Sequence, residues 1–584
     1  MHLADFIILI IYGGGILFVG SILAKKNKNS EDMFAARKQS PWWLSGLSSF
    51  MSAFSAGTFV VWGGIAYKSG MVAVSILVCS GIGSFFVGRF FAQKWASLGI
   101  TSVGQYIQMR FGKAAVQFYT WIGMLFKIAA LAVALYSFAI LVCPLIKLSP
   151  SSLLADSVTG NLSVNAAILI SGGLMLVYAV SGGLWAVLIV DSIQFVVLMT
   201  TVLFVVPLCF SKIGGVESFI SQAPAGFLSP ASGQFTYVFL IGWIIVHTFK
   251  LGGEWVFIQR FLAVRSPKDA RKSSYLIGAL YVVSPIIWML PPMIYKVIDP
   301  SAPPEQAYIL ACALVLPPGM VGLLLAAMFS SAASYIDGEV NVYAGAVTND
   351  IYKAFLAPKA SERNLLLVGR INSFLIGGAI IGIALLVPYL GGAEEIVLTI
   401  TGLLVVAMVL PLLWGLYFQK IKQSSIWWCT GVTVFAALFV KQLVPENSDN
   451  PLFRYYNIHA QTLDVVIGLL VPIVCLFISE VSGKTIAEGF KKVQVAVRRQ
   501  ESMPGSVQFI FFPAKLIAIS IGCLSVLMLS LLLVPGESSK GMIALFSGSL
   551  LVISVIIFWM IRNSNKNSKN TYYKNQVDNS YANA

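Results

Sequence analysis

The stretch VGLLLAAMFSSAASYIDGEVNVYAGAVTNDIYK, residues 321–353, decides how the chain must be read. It begins as an apolar run fit for a membrane and then places hydroxyls, a carboxylate and an amide inside that run. Ser330, Ser334, Asp337 and Asn341 follow at steps of four, three and four, so they stack on one face of a helix. An ionisable residue at the bilayer centre costs about 2.5–3.5 kcal/mol on insertion scales, which makes such a stripe a candidate ion pathway. Oxygen-only chemistry suits a small hard cation or a proton. The serines and Asn341 taken alone also fit plain interhelical hydrogen bonding.

The rest of the chain agrees with a membrane setting. Hydrophobic residues make up 58% of the 584 residues and charged ones 11%, and the mean hydropathy is +0.84. Apolar runs give about fifteen spans, so the expected fold class is all-α and polytopic. Lys and Arg collect on alternate loops, among them Lys25, Lys26, Lys28, Arg110, Lys113, Arg260, Arg265, Lys268, Lys484, Lys491 and Lys492. The positive-inside rule makes those loops cytoplasmic, with the N-terminus outside and the C-terminus inside a cell (plasma) membrane. The net charge of +15 therefore reflects topology and not nucleic-acid binding. Residues 1–24 lack a basic n-region and read as a retained helix. Seven scattered cysteines show neither a disulfide framework nor metal spacing. The tail from Asn563 is rich in Asn, Ser and Lys and is expected to be disordered. No soluble catalytic or signalling head is encoded, which argues against an enzyme and weakens a membrane-sensor reading. No cofactor is expected.

Two spans are interrupted. The first, 42–66, is crowded with Ser and Gly from Ser48 to Thr58; the second, 235–256, is interrupted at Gly252-Gly253 and carries His247, Lys250 and Glu254. Gly-interrupted spans in matching positions of two halves point to a binding site at the membrane midplane. The breaks lie five spans apart, so the second half is inverted relative to the first. The expected organisation is an accessory helix and loop at 1–41, a five-helix repeat at 42–210 and a connector at 211–234. A second five-helix repeat at 235–418, accessory helices at 419–562 and the tail 563–584 complete it. Freed carbonyls at such breaks can hold a cation; Gly and Ser can also merely kink a helix.

Four motifs resemble the sodium:solute symporter family: PWWLSGLSSFMSAFSAGTF (41–59), SGGLWAVLIVDSIQ (181–194), IQRFLAVRSPKDARK (258–272) and AAMFSSAASYIDGEVNVYAGAVTNDIYK (326–353). The resemblance covers about residues 1–485 and implies a five-plus-five inverted-repeat core of the leucine-transporter type. It implies Na⁺ as coupling ion and import of a small-molecule solute across the lipid bilayer by alternating access. Carried over position by position, the cation site comprises the carbonyls of Met51 and Phe54 with Ser331, Ser334 and Tyr335. Tyr335 departs from the usual Ser or Thr, and its phenol oxygen lies too far from the backbone to replace a hydroxymethyl simply. Asp191 matches the family carboxylate of the fifth core helix. Asp337 falls where some relatives place a hydroxyl of a second sodium site, so the pair is expected to share Na⁺ or to carry H⁺. Thr58, His247, Lys250 and Tyr281 form the expected substrate set, which leans towards an acidic solute such as a sugar acid or another carboxylate. The family's hexose-binding positions hold Leu77, Tyr281 and Leu398, so sugar recognition of the familiar kind is missing. Lys250–Glu254 as an internal ion pair is the bland alternative for those two residues, and Glu339, nearly opposite the Ser330–Asp337 stripe, is expected in a structural salt bridge. A proton-coupled carrier of the same fold and a transporter-like sensor are the rival functions.

Overall fold

The computed structural model describes residues 1–24, 38–149, 151–178, 184–443, 458–501, 512–533 and 540–582. Helices α1 (Leu3–Ala24), α2 (Trp42–Ser52), α3 (Gly63–Ser69), α4 (Met71–Val87), α5 (Lys113–Val142), α6 (Val164–Tyr178) and α7 (Leu184–Lys212) form the first half. The second half holds α8 (Tyr237–Gly253), α9 (Trp255–Ala263), α10 (Pro267–Trp288), α11 (Leu290–Ile298), α12 (Met320–Ala346), α13 (Glu362–Leu386), α14 (Gly392–Thr399) and α15 (Val406–Tyr417). Beyond them lie α16 (Gln423–Leu443), α17 (Ala460–Ser482), α18 (Glu488–Glu501), α19 (Phe512–Ser530) and α20 (Lys540–Ala582). Outside the helices, β-structure among the described residues is confined to isolated bridges.

Eleven helices among the described residues are long and apolar enough to cross a membrane, and three shorter apolar helices, at 3–16, 164–176 and 237–253, add to them. With the interrupted segment of α2 and α3 the number reaches the fifteen expected from hydropathy. The helix breaks fall close to where glycine and serine foretold them. Between α2 and α3 the chain leaves the helix at Ala53, and Thr58–Trp62 forms a π-helical turn. Between α8 and α9, Glu254 is extended at φ −72°, ψ 139°. The interruption is therefore one residue past the glycine pair. Gly253 serves close packing instead, since a Cβ there would lie 2.6 Å from the Val409 Cβ of α15.

Two helix groups emerge from the packing. The segment α2–α3 and helices α4, α8, α9, α10 and α11 pack on one another, while α5, α6, α12 and α13 form a second group; α7 touches both. Two buried charges fasten helix ends where the macrodipole favours them. The Asp5 carboxylate accepts hydrogen bonds from the backbone N–H groups of Gly319 (2.7 Å) and Gly322 (2.9 Å) at the start of α12. Arg110 donates to the carbonyls of Gly415 (3.0 Å), Phe418 (3.1 Å) and Ile421 (3.1 Å) at the end of α15.

The membrane-length part of α20 ends at Asn563, where the polar tail begins. The tight turn read at Ser181-Gly182-Gly183, and the loop residues Lys25, Lys26 and Lys28, lie outside the described residues. All seven cysteines are free.

Candidate functional site

The breaks of both interrupted helices open onto one cavity of about 200 Å³. Ser52, Ala53, Ser55 and Thr58 line it from the first break, and His247, Lys250, Gly253 and Glu254 from the second. Tyr281 completes the substrate set expected from sequence, and Tyr335, expected in the cation set, and Leu77 also face the cavity. Thr401, within the π-helical run Ile400–Val405 of the last core span, is a further lining residue. Local π geometry at Thr58 and Thr401 accords with the tendency of such turns to sit at functional sites.

At the first break the backbone is satisfied without charge. The Met51 carbonyl accepts from Phe54 N–H (3.0 Å), and Thr58 N–H donates to the Ser55 carbonyl (2.9 Å). Ser55 N–H reaches Thr58 Oγ1 at 3.3 Å, and Gly57 N–H reaches Ser55 Oγ at 3.2 Å. Such local pairing lets an unwound segment survive at membrane depth. From α12, the Ser331 hydroxyl donates to the Phe54 carbonyl at 2.8 Å, so two members of the expected cation set are already in contact. Ser334 donates to Asp191 Oδ1 at 3.0 Å. Tyr335 turns instead to the cavity wall. The hydroxyl stripe read in the sequence thus faces α7, where Gln194 also donates to Ser330.

Asp191 sits in a buried network. Ser48 donates to its Oδ2 at 2.6 Å, and Arg260 Nη2 stands 3.8 Å from the same oxygen. Arg260 Nε bonds Ser48 Oγ at 3.0 Å, and Nη1 bonds the Val256 carbonyl at 2.8 Å. Asp191, on α7, is therefore tied to α2, α9 and α12 together. Asp337 takes a separate partner: Asn341 Nδ2 donates to its Oδ1 at 2.5 Å. Asp191 and Asp337, expected from sequence to share an ion, have different side-chain partners: Ser48, Ser334 and Arg260 for the first and Asn341 for the second.

The second break is charged. Lys127, midway along α5, stands 2.9 Å from Glu339 Oε1 and 3.4 Å from Glu254 Oε2. Glu339 has the structural salt bridge that its position suggested. Glu254 pairs across the cavity with Lys127, not with Lys250 four residues earlier. Lys250 lines the cavity, donates to Thr401 Oγ1 at 3.4 Å and makes no ion pair among the described residues. His247 packs against Trp243, with ring centroids 4.8 Å apart. Tyr281 packs edge-on against Phe50 at 4.8 Å, backed by Trp288 and Phe54. Lys127 escaped the sequence reading, although a lysine within a 30-residue apolar helix was a signal in itself.

A family profile described as sodium:solute symporter family matches residues 33–430. The sodium/glucose cotransporter of Vibrio parahaemolyticus is 27% identical over 482 residues, spanning 75% of this chain and 85% of its own. The sodium/sialic acid symporter NanT of Aliivibrio fischeri is 25% identical over 493 residues, spanning 80% and 92%. Among solved structures, a substrate-bound, outward-open Na⁺-coupled sialic acid symporter superposes with a TM-score of 0.63. That likeness covers 81% of this chain and 98% of the other at 19% identity, which establishes a shared fold.

Proposed function

This chain belongs to the sodium:solute symporter family, and we propose that it couples inward Na⁺ movement to uptake of a small organic acid by alternating access. It is a multi-pass membrane transporter and not an enzyme. The observation that carries the acidic-solute reading is Lys250. A half-buried ammonium that lines the cavity and, among the described residues, has a 3.4 Å hydroxyl contact and no ion pair calls for an anionic partner. His247, Thr58 and Tyr281 supply polar and aromatic surface around it. The cation would sit behind the cavity wall, among the carbonyls of Met51 and Phe54 and the hydroxyls of Ser331 and Ser334, with Asp191 one hydrogen bond further. These neutral oxygens suit a hard monovalent ion. Tyr335, facing the cavity, leaves that set one hydroxyl short. The membrane potential supplies about 2.3 kcal/mol per charge per 100 mV, and the Na⁺ gradient adds to it. By the positive-inside rule, the distribution of Lys and Arg supports a reading with the basic loops and the C-terminus cytoplasmic and the N-terminus outside a plasma membrane.

A second reading has one observation in its favour. Asp337 is buried with an amide as its hydrogen-bond partner, an environment in which a carboxyl can carry a proton. In proteoliposomes with an imposed Na⁺ gradient, a panel of carboxylate solutes is compared with the corresponding amides and alcohols. The expected outcome is Na⁺-dependent accumulation of a carboxylate and not of its neutral analogue. Accumulation confined to uncharged solutes would remove the acidic-solute reading.

A further inference from the structure

We propose that Glu254 is a positioning residue that exchanges between two lysines, and that this exchange sets solute affinity through Lys250. The proposal rests, for its solute arm, on the acidic-solute reading above. In the conformation described, Glu254 is held by Lys127 at 3.4 Å, while Lys127 is also held by Glu339 at 2.9 Å. These three side chains are 11%, 14% and 1% exposed, so each charge needs a partner. Lys127 and Glu339 stand on α5 and α12, within one helix group. Glu254 belongs to the other group, at the extended residue between α8 and α9. Lys127–Glu254 is therefore an ion pair between the groups, and a relative movement of the groups must part it.

The consequences for the two lysines differ. When Glu254 leaves, Lys127 keeps Glu339. Among the described residues Glu254 keeps no cation of its own unless it turns to Lys250, which is four residues earlier in the last turn of α8 and whose carbonyl already accepts the Glu254 N–H at 2.9 Å. While Glu254 is clamped by Lys127, Lys250 is available to an acidic solute. Once Glu254 is released, it competes for that ammonium and displaces the solute. The clamp thus ties high affinity to one arrangement of the groups and release to the other.

The test uses the full-length protein in proteoliposomes and the solute that the wild type accumulates. Lys127→Met frees Glu254 for Lys250, and the KM for an acidic solute is expected to rise about tenfold, with a smaller change in kcat. Adding Glu254→Gln to Lys127→Met should return KM to within about threefold of wild type, a rescue that simple loss of packing does not give. Glu254→Gln alone, which keeps Lys127–Glu339 intact, should lower kcat several-fold with KM equal to or below wild type. A double variant with no recovery, or Glu254→Gln raising KM as much as Lys127→Met, overturns the exchange. Hydrogen exchange along α9, measured in purified protein without solute, reports the clamp independently of solute chemistry. Faster exchange in Lys127→Met and in Glu254→Gln is expected, and unchanged exchange in both overturns the clamp. If the wild type accumulates only an uncharged solute, the role of Lys250 falls, and the clamp stands or falls on hydrogen exchange alone.

Discussion

The two helix breaks solve the same problem with different chemistry. At the first, between α2 and α3, freed backbone groups are met by neighbouring amides, carbonyls and the hydroxyls of Ser55, Thr58 and Ser331. At the second, between α8 and α9, the junction is filled by Glu254 with its counter-ion Lys127, and Lys250 stands one turn before it. A neutral oxygen lining can take up and release a monovalent cation without leaving a strong charge behind. A junction that carries fixed charges is suited to recognise a charged solute and to hold or release a helix group. In the mechanism proposed, the inverted repeat supplies two equivalent openings and side-chain chemistry divides the labour between them: cation at the first, solute and clamp at the second.

Substitutions can break or sharpen that division. The largest effect is expected for Asp191→Asn, which leaves Arg260 buried without its counter-charge. Breaking a buried pair in this way costs about 3–5 kcal/mol. Accumulation should be lost at matched expression and the melting temperature lowered; wild-type uptake would detach Asp191 from the cation side. Next, Lys250→Met should raise the KM for an acidic solute about tenfold or more while leaving the half-saturating Na⁺ concentration within about twofold. Equal shifts in both quantities would show that the two breaks do not divide the work. Tyr335→Ser restores the hydroxymethyl expected of relatives and should increase apparent Na⁺ affinity a few-fold, read from Na⁺-activation curves. No change in Na⁺ dependence would place the coupling site elsewhere. The smallest effect belongs to Asp5→Asn, remote from both breaks, where weakening the cap of α12 should cost about 0.5–2 kcal/mol of stability. Its uptake kinetics should match the wild type, whereas a shifted KM would implicate the α12 N-terminus in binding.

The sequence disclosed the spans because apolar runs of membrane length need no partner to be recognised. It disclosed the breaks because Gly and Ser weaken helices locally. The face shared by Ser330 and Ser334 was legible from periodicity, and both do meet α7, at Gln194 and Asp191. Partner choice was not legible. Lys250 and Glu254 share a helical spacing, yet Glu254 pairs with a lysine 127 positions away, because the extended residue after Gly253 redirects its side chain. Motif matching set Asp191 beside Asp337 but gave no hint of their partners Arg260 and Asn341. Asp5 and Arg110 are explained only once the helix ends they cap are known. Long-range ion pairs depend on packing, which local patterns do not encode.

The central claim is that Na⁺, bound at the first break, drives transport. It is tested most directly by uptake into proteoliposomes under an imposed Na⁺ gradient or an imposed pH gradient alone, comparing wild type with Asp337→Ser. Serine can offer an oxygen to a cation but cannot carry a titratable proton. The account predicts accumulation under the Na⁺ gradient in both proteins, with weaker Na⁺ affinity at most in the variant. Accumulation driven by the pH gradient alone in the wild type, and lost in Asp337→Ser, would contradict it and make the proton the coupling ion.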